Sequence, residues 1–199
     1  MAHIAILGLG NWGTAVARMW LLEGHKVKGW TIEQEVYESV VMDGINKKYL
    51  PNHSVEGLEA TMRLDEALEG VEIVVLAIPS SVILDVVDEV IPHLRPGHVL
   101  IDLAKGLAPG KRLISQAIHE KLNAAQKANP LAVVTGPTIA PEAAGGVITT
   151  ALVASEDESI AKRLAETLTT QTFILHSASD PVGAELWGAF KNVIALTCG

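Results

Sequence analysis

A short apolar run at residues 3–7 leads straight into Gly8-Leu9-Gly10-Asn11-Trp12-Gly13, and residues 14–22 follow with helical spacing. This strand–turn–helix order constrains the chain more than any other feature. An apolar run of that length suits a strand buried on both faces, as in a parallel sheet. In the turn, the first glycine permits a tight bend, the second lets a ligand approach the backbone, and the third lets the helix pack closely on the strand. The helix N-terminus near Asn11–Thr14 offers free amides and the positive end of the helix dipole, which suit a pyrophosphate. Gly8, Gly10 and Gly13 are therefore read as the frame of a dinucleotide-binding turn. The plainer alternative is a glycine turn that only solves a packing problem.

The same alternation continues. Strands are predicted at 26–30, 72–78, 98–103, 131–134, 150–154 and 173–175. Helices are predicted at 33–42, 65–69, 82–91, 113–126 and 156–168, with Ser81 as the cap of the third. Pro79 ends the 72–78 strand because it has no amide hydrogen for the ladder. Strands alternating with helices imply an α/β fold, a doubly wound, mostly parallel sheet of Rossmann-like type. Ligands in such folds sit beyond the carboxyl ends of the strands.

Composition narrows the function classes. With 199 residues the chain can hold one large domain, or one domain and the start of another. A net charge of -8 argues against nucleic acid as a partner. No stretch of ~20 uninterrupted apolar residues is present, so no membrane span is expected. The N-terminus lacks the positive start and cleavage site of a signal peptide, and the one cysteine, Cys198, cannot form an internal disulfide. These features point to a cytoplasmic protein. The seven histidines are scattered without ligand spacing, so no metal is expected. Ser80-Ser81 lacks the flanking glycines of a nucleophile elbow.

Choice of dinucleotide rests on the end of the second strand, where an acidic residue holds ribose hydroxyls and an arginine accepts the extra phosphate of NADP. The chain reads Trp30-Thr31-Ile32-Glu33. NAD is the expected cofactor, with NADP the alternative. Glu33 is either a ribose contact or an ordinary acidic residue in a first helical turn. Two lysines stand out. Lys105 follows a predicted strand, and Lys191 lies in a nearly uncharged helical segment, Gly188-Ala189-Phe190-Lys191-Asn192-Val193-Ile194-Ala195. A desolvated lysine near a second cation loses pKa and can exchange a proton near neutrality. The alternative is that Lys105 is solvated and Lys191 snorkels.

At this point the chain resembles the glycerol-3-phosphate dehydrogenase family along its length. The resemblance rests on Gly8–Ala15, Asn46-Lys47-Lys48-Tyr49-Leu50-Pro51, Ala77-Ile78-Pro79-Ser80, Lys105-Gly106, Gly136-Pro137-Thr138-Ile139-Ala140-Pro141-Glu142 and the segment from Gly183 to Ala195. It implies interconversion of dihydroxyacetone phosphate and sn-glycerol 3-phosphate by a nicotinamide cofactor, as a step feeding glycerophospholipid synthesis. It implies Lys191 as proton donor and acceptor, and Lys105 in reach of both cofactor and substrate. Gly136, Thr138 and Asn192 would meet substrate. Asn11, Trp12, Tyr49 and Ala140 would meet cofactor, although Tyr49 could equally be part of a turn that packs on Pro51. A homodimer is the oligomer the family suggests.

Departures from the family pattern are Phe190, Thr197 and Ile32, the last at a position where many bacterial members carry arginine. The resemblance further implies a dinucleotide domain over 1–178 and, over 179–199, the first helix of an all-helical substrate domain whose remainder, with the family's phosphate-binding arginine, is absent. The chain is then expected to bind dinucleotide but turn over slowly or not at all. Competing readings are a lysine-dependent 3-hydroxyacid or 6-phosphogluconate dehydrogenase and a non-catalytic dinucleotide-binding module. In the former, lysine and asparagine lie about one helical turn apart, whereas Lys191 and Asn192 adjoin.

Overall fold

The computed structural model describes residues 1–198, with side chains through Lys191. In chain order the elements are β1 (His3–Leu7), α1 (Asn11–Leu22), β2 (Lys26–Trp30), α2 (Gln34–Asp43), β3 (Glu59–Thr61), α3 (Leu64–Leu68), β4 (Ile73–Leu76), α4 (Ile83–Val90) and β5 (Val99–Asp102). A small hairpin of β6 (Leu107–Ala108) and β7 (Arg112–Leu113) precedes α5 (Ile114–Ala124). Then come β8 (Leu131–Thr135), α6 (Ala140–Ala144), β9 (Thr149–Ala154), α7 (Glu158–Leu168), β10 (Phe173–Ala178) and α8 (Pro181–Cys198).

The main sheet has the order β3-β2-β1-β4-β5-β8-β9-β10. Strands β3 through β8 in that order are parallel. β9 runs antiparallel to β8, and β10 runs with β9. The chain leaves β1 in one direction for β2 and β3, then crosses back to β4 on the other side. That reversal makes a crevice beyond the carboxyl ends of β1 and β4, where ligands bind in folds of this kind. The fold is the doubly wound α/β sheet expected from the alternation of strands and helices.

Both faces of the sheet are covered, which is why its central strands read as unbroken apolar runs. Ile4, Ile6, Val75 and Ile101 face a core shared with Val16, Trp20, Leu164 and Phe173. Ala5, Leu7, Leu76 and Leu100 face the opposite core with Ile83, Val87, Ile114 and Ile118. Trp20 lies buried in the first core and donates its indole N–H to the carbonyl of Leu168 at 3.0 Å. No helix of the described residues is long and apolar enough to cross a membrane.

Local details correct the sequence reading in three places. Ser81 does not cap α4: Val82 occupies the cap position without a side-chain bond. The carbonyl of Pro79 instead accepts from the amides of Val82 and Ile83 at 3.0 and 3.1 Å, so the turn after β4 starts the helix by itself. α1 begins at Asn11 rather than at Thr14, because Gly10 is already the extended cap residue and its carbonyl accepts from Thr14 N at 2.9 Å. β3, the β6–β7 hairpin and α6 had no sequence signal, being two to five residues long and too short for periodicity.

Candidate functional site

The glycine turn separates into two jobs. Gly8 has φ +101, and a Cβ there would lie 2.5 Å from the Ala77 carbonyl oxygen of the neighbouring strand end. A Cβ at Gly13 would lie 2.0 Å from the Gly8 carbonyl oxygen. Both glycines serve the packing of α1 onto β1 and β4. Gly10 is different: a Cβ there would meet nothing within 4 Å. The space beside it is open, a cradle that the protein itself leaves unfilled. Gly10→Ala is therefore expected to leave stability within ~0.5 kcal/mol while weakening NADH binding about ten-fold, or ~1.4 kcal/mol. Calorimetric titration with NADH alongside thermal melts would check this, and unchanged affinity would contradict it.

Beyond Gly10 lies a groove of about 630 Å³. Its walls are the glycine turn, Trp30–Glu33 after β2, Ala77–Ser80 after β4 and Leu103–Lys105 after β5. Gly8, Gly10, Asn11, Trp12, Gly13, Glu33, Tyr49 and Lys105 all line it. Trp12 also stands edge-on to Phe173, with ring centroids 5.8 Å apart, so its position is fixed by the core. Ala140 is not on the groove wall; it opens α6 and packs in a small cluster with Trp12 and Leu50.

Asn46 ties the far wall to the turn. Fully buried, its amide donates to the Leu9 carbonyl at 2.8 Å and to Thr14 Oγ1 at 2.9 Å, and its Oδ1 accepts from Tyr49 N at 3.1 Å. Tyr49 is held over the groove and donates its hydroxyl to Glu33 Oε1 at 2.8 Å. Lys48 donates to Glu33 Oε2 at 2.5 Å and also to Glu35. The Lys48 ammonium holds the Glu33 carboxyl below its ordinary range.

At the other end of the groove Lys105 lies within range of the charge of Lys191. Lys105 Nζ donates to Thr138 Oγ1 at 3.3 Å. The residue is exposed as a whole, yet partial desolvation lowers its pKa, and the charge of Lys191 lowers it further. Lys191 lines a second cavity of about 660 Å³ with Gly136, Trp187 and Gly188. A Cβ at Gly136 would lie 2.7 Å from the Thr150 carbonyl oxygen, and one at Gly188 would lie 2.2 Å from Thr135 Oγ1. Those close approaches set the loop after β8 against β9 and press α8 onto β8. Lys105 and Thr138 thus meet at the end of the groove, while Gly136 and Lys191 line the second cavity. The side chain of Asn192 lies outside the described residues.

Two carboxyl groups on the segments that carry these lysines were not assigned from sequence. Glu185 on α8 is buried and accepts from the amides of Ile114 at 2.6 Å and Ser115 at 3.3 Å, and from the Ser115 hydroxyl. It caps α5 and so clamps the helix that carries Lys191 to the segment that begins at Lys105. Its one sequence signal is an acidic residue in an otherwise apolar stretch.

Asp102 ends β5; its Oδ1 accepts from Ala104 N at 2.8 Å, while its buried Oδ2 has no partner among the described residues. Burial pushes the Asp102 carboxyl from 3.8 up to about 8, opposed by the Ala104 amide and reinforced by Glu185. The folded chain therefore holds this proton more tightly than the unfolded chain, so stability falls as pH rises from about 4 to about 8 and levels off above. Asp102→Asn removes that slope. Its advantage in Tm is expected to be small near the lower pH and largest at the upper one, and a difference independent of pH would refute the assignment. Among the described residues no group of three or more His, Cys, Asp or Glu side chains could hold a metal ion.

An open cradle at the switch point of a doubly wound sheet puts this chain among the dinucleotide-binding α/β proteins. Comparison with known proteins is more specific. The model of the NAD-dependent glycerol-3-phosphate dehydrogenase N-terminus matches residues 3–161. The chain belongs to the NAD-dependent glycerol-3-phosphate dehydrogenase family, matching its N-terminal part. It is 34% identical over 197 residues to the glycerol-3-phosphate dehydrogenase, NAD(P)+, of Coxiella burnetii (strain Dugway 5J108-111), covering 98% of this chain and 58% of that protein. The enzyme of the same name from Syntrophotalea carbinolica is 35% identical over 198 residues, covering 99% and 60%. The crystal structure of glycerol-3-phosphate dehydrogenase from Coxiella burnetii superposes with a TM-score of 0.88 at 35% identity, covering 98% of this chain and 59% of that one. The chain thus spans 58% and 60% of the length of these two curated relatives.

Proposed function

We propose that this chain binds NAD(H) in the glycine-turn groove and serves the interconversion of dihydroxyacetone phosphate and sn-glycerol 3-phosphate. The observation that carries this reading is Lys105 at the end of the groove, bonded to Thr138 and within range of the charge of Lys191. The groove fits the cofactor because only a ligand would meet Gly10 and because an anchored carboxylate, Glu33, stands where ribose hydroxyls need an acceptor. When bound, the nicotinamide supplies the hydride.

The chain's own residues do the rest. Reduction of a ketone leaves negative charge on its oxygen, and an ammonium beside that oxygen stabilises the charge and then protonates it. Lys191 is assigned that proton. Lys105, with its pKa lowered by desolvation and by Lys191, holds a second positive charge at the same place and orients Thr138. Gly136, Thr138 and Asn192 are assigned to the substrate's hydroxyl and carbonyl groups. Asn11, Trp12, Tyr49 and Ala140 are assigned to the cofactor, Ala140 from the small cluster against which Trp12 also packs. On this reading residues 1–178 form the dinucleotide domain and 179–199 begin a helical substrate domain. A cytoplasmic setting, a role in supplying glycerophospholipid synthesis and a homodimer go with it.

A single-turnover experiment tests the reaction. Protein in excess over NADH is mixed with dihydroxyacetone phosphate, and sn-glycerol 3-phosphate is expected to form as NADH absorbance is lost. The reverse reaction is run with NAD and each alternative substrate, a 3-hydroxyacid and 6-phosphogluconate. NADH formation with one of those, and no reaction with dihydroxyacetone phosphate, would move the chain to the competing class of lysine dehydrogenases.

A further inference from the structure

The adenosine end of the groove contains more charge than the ribose contact needs. Lys105, at the far end, is the one lysine or arginine among the described residues that line the groove. Ile32, which lines the groove next to Glu33, is an exposed aliphatic side chain. Directly behind Glu33, however, stands Lys48, bonded to Glu33 at 2.5 Å and paired with Glu35 as well. One ammonium is shared by two carboxylates, so the cluster carries a net negative charge. Tyr49 holds the other oxygen of Glu33. A carboxylate has about four acceptor positions, so Glu33 keeps capacity for a ribose hydroxyl while both partners are in place.

NADP differs at that hydroxyl by a phosphate of about -1.5 to -2 charge, which needs a cation and is repelled by carboxylates. The Lys48 side chain is 42% exposed on a flexible stem. It is near enough to supply that cation if the carboxylates let it go. We propose that Lys48 sets the choice between NAD and NADP: clamped by Glu33 and Glu35 it braces Glu33 for a ribose 2′-hydroxyl, and freed from them it becomes the partner of a 2′-phosphate. The inference rests on the cofactor reading above and names the residue that governs its selectivity.

Equilibrium binding of NADH and NADPH tests it without any need for turnover. The measurement compares the intact protein, the double variant E33Q/E35Q and the triple variant with K48A added. The intact protein is expected to bind NADH roughly ten-fold tighter than NADPH, the scale of a few poorly screened unit charges. In the double variant NADPH tightens until the preference reverses. Adding K48A returns NADPH to the weak binding of the intact protein. If the triple variant keeps the tighter NADPH binding, relief of repulsion explains everything and Lys48 has no such role. An intact protein that does not distinguish the two cofactors also overturns the proposal. A folded intact protein that binds neither overturns the cofactor reading together with it, a result distinct from binding with the wrong ratio.

Discussion

Replacing Lys191 by methionine is expected to slow single-turnover reduction of dihydroxyacetone phosphate by ~10²–10⁴-fold, the usual contribution of a positioned general acid. NADH affinity should stay within about two-fold, a change of only ~0.4 kcal/mol. Methionine keeps the length and apolar stem of lysine, and the cradle at Gly10 lies on the other side of the groove. The half-buried position of Lys191 on α8 favours a clean substitution. A second readout separates chemistry from misfolding. Burial and Lys191 together depress the Lys105 pKa. Removing Lys191 leaves burial alone, so any limb of the pH–rate profile set by Lys105 moves to higher pH. An unchanged rate at saturating NADH would remove Lys191 from the proton-transfer role.

Gly13→Ala is expected to be the most damaging small substitution to the fold. The added Cβ would sit 2.0 Å from the Gly8 carbonyl oxygen and 3.1 Å from Ala77 Cβ. The first obstacle is backbone, held in place because Gly8 N donates to the Trp30 carbonyl at 2.9 Å. α1 would have to lift from the sheet, disturbing the core around Val16 and Trp20. Overpacking of this kind costs about 3 kcal/mol or more, which for a domain of this size lowers Tm by ~6–12 °C. Thermal melts of Gly13→Ala and Gly10→Ala make a matched pair, since the two glycines lie three positions apart in one motif. Equal Tm values for both would contradict the division of the turn into a packing glycine and a ligand glycine.

The long-range architecture was legible because its signals are local. β1, β4 and β5 are apolar runs, and each is followed by a segment that cannot remain a strand: a glycine turn, a proline or Lys105-Gly106. What escaped notice depends on contacts across the chain. Glu185 reaches Ile114 and Ser115, some seventy positions away, and nothing near Glu185 announces the amides it caps. Asp102 reads as the polar end of a strand, and its missing partner becomes visible only in three dimensions. Asn46 stood inside a recognised motif, but its bonds to Leu9 and Thr14, which tie that motif to the glycine turn, appear only in the folded chain. For Glu33 the sequence left a ribose contact and an ordinary acidic residue of a first helical turn both open, and it did not show a carboxylate already shared by Lys48 and Tyr49. Ser81 misled because a serine before a helix is a good cap on average, whereas here the turn at Pro79 had already supplied the acceptor.

The most direct test of the account is a titration of the folded chain with NADH, followed by nicotinamide fluorescence. Saturable enhancement with one NADH per chain, reversed by excess NAD, is the predicted result. No saturable change with NADH or with NADPH, from protein whose melt is cooperative, would contradict the claim that the open space beside Gly10 is a dinucleotide site.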